Sequence, residues 1–172
     1  MPRKKKKSFR FWPQVIVGAL GLVAVFLSIF FLVKNAPTEP EISPGVHIGK
    51  TTLLSYQGKD VLASELLSSE KNLLIFWATW CGPCVDEIKK MPQLLPKIKA
   101  KGYTPVFINY DSPENKVIAE NFAKEFGVES AFDLRGEILF NLGISSLPVS
   151  ILVDKSGKVL RTFRGEMRES RL

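Results

Sequence analysis

The chain has 172 residues, a formal net charge of +7 and a mean hydropathy of +0.07. That length holds one ordinary domain plus a further segment. Seven of its 24 Lys and Arg lie in residues 1–34, which contain no acid, so the rest carries 17 charges of each sign; this neutrality argues against a nucleic-acid partner.

Residues 1–14 form a basic tail containing Arg3, Lys4, Lys5, Lys6, Lys7 and Arg10. Residues 15–33, VIVGALGLVAVFLSIFFLV, follow with no charge and with Ser28 as the polar interruption. As a helix this segment reaches about 28 Å, close to the roughly 30 Å hydrocarbon core of a bilayer. It is expected to be one transmembrane helix, with the basic tail in the cytoplasm and the remainder exported. A cleaved signal peptide fits less well. Its apolar stretch is usually about 7–15 residues, and the best cut, after Ala36, is flanked by Lys34 and Pro37. Residues 34–45 carry Pro37, Pro40 and Pro44 and read as a stiff linker before a domain at 46–172.

In that domain, residues 51–62 predict two short strands around Gln57-Gly58, and residues 64–69 a short helix. NLLIFWAT, 72–79, is an apolar run suited to a central strand covered on both faces. A helix is expected over 83–101, kinked or broken by Pro92 and Pro96. YTPVFINY, 103–110, is the next strand. Asp111 or Ser112 is expected to cap a helix with Ile118, Phe122 and Phe126 on one face and Gly127 at its end. An irregular stretch follows. Strands at 148–153 and 158–163 then flank Asp154-Lys155-Ser156-Gly157, a hairpin signal. The order of elements implies an α/β layered fold, a mixed sheet with helices on its faces.

Both cysteines stand in FWATWCGPC, 76–84. At a helix start, Cys81 and Cys84 lie one turn apart, close enough for a disulfide. Cys81 faces unpaired N–H groups and the positive end of the helix dipole, which favour the thiolate. Pro83 suits a first-turn position, Gly82 lets a partner chain approach, and Trp80 offers an apolar shoulder for a substrate. A structural zinc site needs four ligands, whereas the chain offers two Cys and His47, which reads as a surface or edge residue. A purely structural bridge over so short a loop restrains little of the unfolded chain. A redox-active pair is the favoured reading, with no metal and no organic cofactor.

FWATWCGPC resembles the active-site segment of thioredoxin. With the apolar anchor, Glu87 three residues after Cys84, LPVSILVDKSGKV and Gly165, the chain resembles the TlpA/ResA/CcmG group of anchored thioredoxin-like proteins. That resemblance implies a thioredoxin-like fold, with Cys81 as nucleophile and Cys84 as resolving cysteine. It implies a cis peptide before Pro148, so that Leu147 presents a backbone edge to substrate. It also implies that Glu87 relays a proton to or from a cysteine, because thioredoxin's own buried acid is replaced here by Ile75. A surface Glu87 paired with Lys90 is the competing expectation. Two features depart from the group: Pro92 and Pro96 displace the usual helix bend, and EMRESRL after Gly165 is short for a final helix, leaving part of one sheet face thinly covered.

The group implies a bacterial single-pass membrane protein whose domain lies outside the cytoplasm. Its role would be to reduce disulfides of exported proteins, such as the cysteines of apocytochrome c, and to be recharged by a membrane electron-transfer protein. An oxidase or isomerase remains the alternative. A copper carrier is disfavoured because the spacing is one residue short and His47 precedes the motif. A peroxidase is disfavoured because no Thr-x-x-Cys surrounds Cys81.

Overall fold

The computed structural model describes residues 12–34 and 45–171, with side chains of the first stretch described at 20–31. The chain divides into two units, 1–40 and 41–172. In the first, helix α1 spans Trp12–Lys34, 23 residues, and Ser28 Oγ turns back on the carbonyl of Ala24 at 2.8 Å. Among the described residues no helix is long and apolar enough to cross a membrane. The expected span at 15–33 runs past the described side chains at both ends. The basic tail through residue 11 and the linker at 35–44 lie outside the described residues.

The second unit contains a seven-stranded sheet of order β2-β1-β5-β4-β3-β6-β7. Its strands are β1 (Thr52–Leu54), β2 (Asp60–Leu62), β3 (Asn72–Trp77), β4 (Thr104–Asn109), β5 (Ser130–Phe132), β6 (Val149–Val153) and β7 (Val159–Arg164). β3, β4 and β5 run parallel, and the other pairings are antiparallel. All six residues of β3 are buried, as expected of a strand covered on both faces. Its alternation divides the core: Leu74 and Phe76 pack on one side, Leu73, Ile75 and Trp77 on the other.

Helix α2 (Gly82–Ala100) covers the second side with Cys84, Ile88, Met91 and Ile98. It continues through Pro92 and Pro96, so the expected break does not occur. Both prolines are exposed, and on that face water can satisfy the carbonyls that lose their N–H partners. Helix α3 (Lys116–Glu125) packs beside it. Its buried residues are Ala119 and Ala123, with Phe122 and Phe126 half-buried, whereas Ile118 is 61% exposed. Steps of four residues advance about 40° beyond a full turn, so the predicted stripe of Ile118, Phe122 and Phe126 drifts around the helix and leaves Ile118, at its start, off the core.

The irregular stretch after Gly127 holds two further elements, β5 and α4 (Glu137–Asn141). Three and five residues are too few to display a period. β5 nonetheless occupies a central place in the sheet, and Ile138 and Leu139 of α4 close the first side of the core. Asp133 caps α4, its carboxylate accepting from the backbone of Glu137 and Ile138 at 2.9 Å each. The β6–β7 hairpin forms as predicted, with Gly157 in a positive-φ turn and Asp154 Oδ1 accepting from Ser156 and Lys158. His47 is exposed and makes an isolated bridge to Lys158.

Candidate active site

The buried run of β3 ends at Trp77, and a tight turn, Ala78 to Cys81, leads into α2. The backbone N–H of Cys81 closes the turn on Ala78 O at 3.2 Å. Cys81 is the N-cap of α2, with extended backbone angles, and Pro83 lies in the first turn where its missing N–H costs nothing. Its sulfur accepts from the backbone N–H of Cys84 at 3.3 Å, filling the place of a capping oxygen. The two cysteines are joined as a disulfide, with Cα atoms 5.2 Å apart. Cys81 is 6% exposed and Cys84 is wholly buried, so an incoming reactant meets Cys81 first. Trp80 is 63% exposed beside it.

The Leu147–Pro148 peptide is cis, as the resemblance implied. The register Phe76↔Val149 brings this bond to the same sheet end as the β3–α2 turn. Leu147 packs against the cluster that contains Cys81 and Cys84. Gly165, with φ +80°, donates its N–H to Pro148 O at 2.8 Å and turns the following segment toward α2.

Glu87 is 2% exposed. Lys90 pairs with Glu166 at 3.3 Å rather than with Glu87, so the surface-pair expectation for Glu87 does not hold. Its Oε1 accepts the backbone N–H of Met167 at 3.1 Å. Burial pushes the Glu87 carboxyl from 4.5 up to about 7; the Met167 N–H opposes that rise, Glu166 adds to it, and Lys90 and Arg171 oppose it. The expected thin cover is therefore partly met at this point. Met167 is buried, and Lys97 pairs with Glu169. A groove of about 350 Å³ remains along Leu94 and Met167.

Trp77 donates its indole N–H to Ser130 Oγ at 2.8 Å, tying β3 to β5 within the core. Asp111 does not cap a helix. It is buried and accepts from Thr79 and Asn109, while Ser112 opens a 3₁₀ turn at Pro113–Asn115 ahead of α3. The polar group of Asp111 satisfies the turn beside Cys81 in preference to a helix end already open to water. No group of three or more metal-ligating side chains is found among the described residues.

Residues 38–172 match the family model described as Redoxin. The chain is 36% identical over 125 residues to a thiol-disulfide oxidoreductase ResA of Bacillus thuringiensis subsp. konkukian, covering 72% of this chain and 65% of that protein's length. A ResA of Geobacillus thermodenitrificans is 30% identical, with 94% and 91% covered. Among solved structures, a Chlorobium tepidum protein described as the thiol:disulfide interchange protein DsbE superposes with a TM-score of 0.60 at 30% identity, covering 76% of this chain and 91% of its own. The cysteine pair at the helix start and these similarities agree, and the chain belongs to the Redoxin family, among its thioredoxin-like proteins of the TlpA/ResA/CcmG type.

Proposed function

We propose that the chain is a membrane-anchored thiol–disulfide oxidoreductase that reduces disulfides of proteins outside the cytoplasm. The observation that carries this reading is the Cys81–Cys84 bridge across the first turn of α2. Cys81, slightly exposed, accepts a helix N–H through its sulfur, and Cys84 is sealed inside.

In the reduced protein the Cys81 thiolate attacks one sulfur of a substrate disulfide. A mixed disulfide forms and the other substrate sulfur leaves as a thiolate. Cys84, deprotonated, then attacks the Cys81 sulfur, which releases the second substrate thiolate and restores the bridge. Two electrons have passed to the substrate. Glu87, one turn along the same helix, takes the Cys84 proton, a task suited to a carboxyl that titrates near neutral pH. Trp80 and the backbone of Leu147 beside Pro148 provide the contact for an extended substrate segment.

The charge-free run at 15–33 and the 23-residue helix α1 support the anchor. The basic tail supports a single-pass orientation in a bacterial cytoplasmic membrane with the domain outside. Exported disulfide proteins, apocytochrome c cysteines among them, are the substrates of this reading, and a membrane electron-transfer protein is its reductant. Gly82-Pro83 between the cysteines resembles reducing members of the group, which favours reduction over oxidation or isomerisation.

Trapping tests the roles. Cys84→Ser should accumulate mixed disulfides with native partners, identifying substrate and reductant, whereas Cys81→Ser should trap almost none. Equal trapping by both variants would overturn the assignment. A midpoint potential near thioredoxin's, about −270 mV, fits reduction, whereas one near about −120 mV would reverse the flow.

A further inference from the structure

The cysteine chemistry makes no use of Asp111, a carboxylate 1% exposed just past the end of β4. Its Oδ2 accepts from the Thr79 backbone N–H at 2.8 Å and from Asn109 Nδ2 at 2.8 Å. Its Oδ1 accepts from the Thr79 hydroxyl at 2.7 Å. Asn109, wholly buried, accepts the Asp111 N–H at 3.0 Å in return. Both polar groups of Thr79 that could reach this carboxylate are thus committed to it. Thr79 lies in the Ala78-to-Cys81 turn, two residues before the sulfur that caps α2.

We propose that Asp111 is a positioning residue for Cys81: by holding Thr79 it fixes where the turn sets the sulfur against the N–H groups of α2. The proposal rests on the redox role of Cys81 given above. Asp111 is anchored through Asn109 to the end of the parallel β3–β4 pair, one of the most heavily bonded parts of the sheet. The turn itself is short and its Trp80 is exposed, and the Asp111 tether links its middle to that frame. The Cys84 N–H to sulfur contact, at 3.3 Å, weakens steeply if the turn rotates. The thiolate loses stabilisation with it. The ionisable side chains of α2 next to the motif, Asp86 and Glu87, pair with Lys89 and with the Met167 N–H rather than with Asp111.

The test uses the full chain in detergent with Cys84→Ser, which leaves Cys81 as the single thiol. Its alkylation by iodoacetamide is followed from about pH 5 to pH 9. Asp111→Ala should slow alkylation at neutral pH about tenfold and move the midpoint of the pH profile up by about one pH unit. Asp111→Asn should recover most of the loss. Its amide oxygen replaces Oδ2, and its NH₂ donates to the Thr79 hydroxyl, so the three contacts persist without the charge. An Asp111→Ala profile that matches the parent overturns the proposal. So does an Asp111→Asn profile as displaced as Asp111→Ala, which would assign the effect to charge rather than placement. If Asp111→Ala does not fold, Thr79→Val, which removes the hydroxyl contact alone, decides: a slowing of about threefold supports the proposal, and a parental rate overturns it. Alkylation reads the thiolate alone. Failure of the parent chain to reduce a protein disulfide would instead overturn the proposed oxidoreductase reading.

Discussion

Glu87→Gln separates the buried carboxyl from its surroundings. Its pKa rises from 4.5 to about 7 because burial disfavours the charged form, which is worth roughly 3 kcal/mol, as an upper bound. The sign follows from proton counting. Between about pH 4.5 and 7 the folded chain holds the Glu87 proton and the unfolded chain has released it, so stability falls as pH rises through that window and levels off above it. Gln is neutral at every pH, and its carbonyl oxygen can still accept the Met167 N–H. Glu87→Gln should therefore gain on the parent by up to about 3 kcal/mol between pH 4 and pH 8. Urea unfolding of the oxidised chain across that range measures the difference. Any pH-independent cost of the amide is a constant offset and leaves the slope unchanged. A difference that stays flat through the window would refute the reasoning. The groups around Glu87 are the Met167 N–H, Glu166, Lys90 and Arg171; Glu166→Gln should lower the midpoint of the window, because it removes a like charge.

Trp80→Ala should change stability by no more than about 0.5 kcal/mol, since the side chain is 63% exposed. It should slow reduction of protein disulfides several-fold while leaving reaction with a small disulfide near the parental rate; equal slowing of both would remove Trp80 from the substrate contact. Ser130→Ala strands the buried indole N–H of Trp77 and should cost about 1–3 kcal/mol in urea unfolding. Protease added to intact spheroplasts should digest the domain, and protection until lysis would reverse the proposed orientation.

Much of the frame could be read before folding because its signals are local. The apolar run at β3, the hairpin residues 154–157 and the CGPC segment each span a few neighbours, and each took its expected form. Three regions departed from expectation, because the local pattern was ambiguous, was set by tertiary placement, or was too short to read. Ile118 left the core because a four-residue repeat drifts around a helix. Pro92 and Pro96 did not break α2, since both face outward. β5 and α4 were missed because elements of three and five residues carry too little pattern to stand out, although β5 joins the hairpin strand β1 to β4.

The sequence by itself determined the chemistry on offer: two thiols one turn apart at a helix start, Gly and Pro between them, and a carboxyl one turn further in. Helix geometry and residue type are enough for that. Only the tertiary structure decided the electrostatic state of that carboxyl and the setting of the reactive turn. Glu87 is sealed by a backbone N–H from Met167, 80 positions away, and Thr79 is held by a carboxylate 32 positions on. Desolvation and hydrogen bonding depend on which atoms lie within a few ångströms, and for these two residues those atoms come from distant parts of the chain.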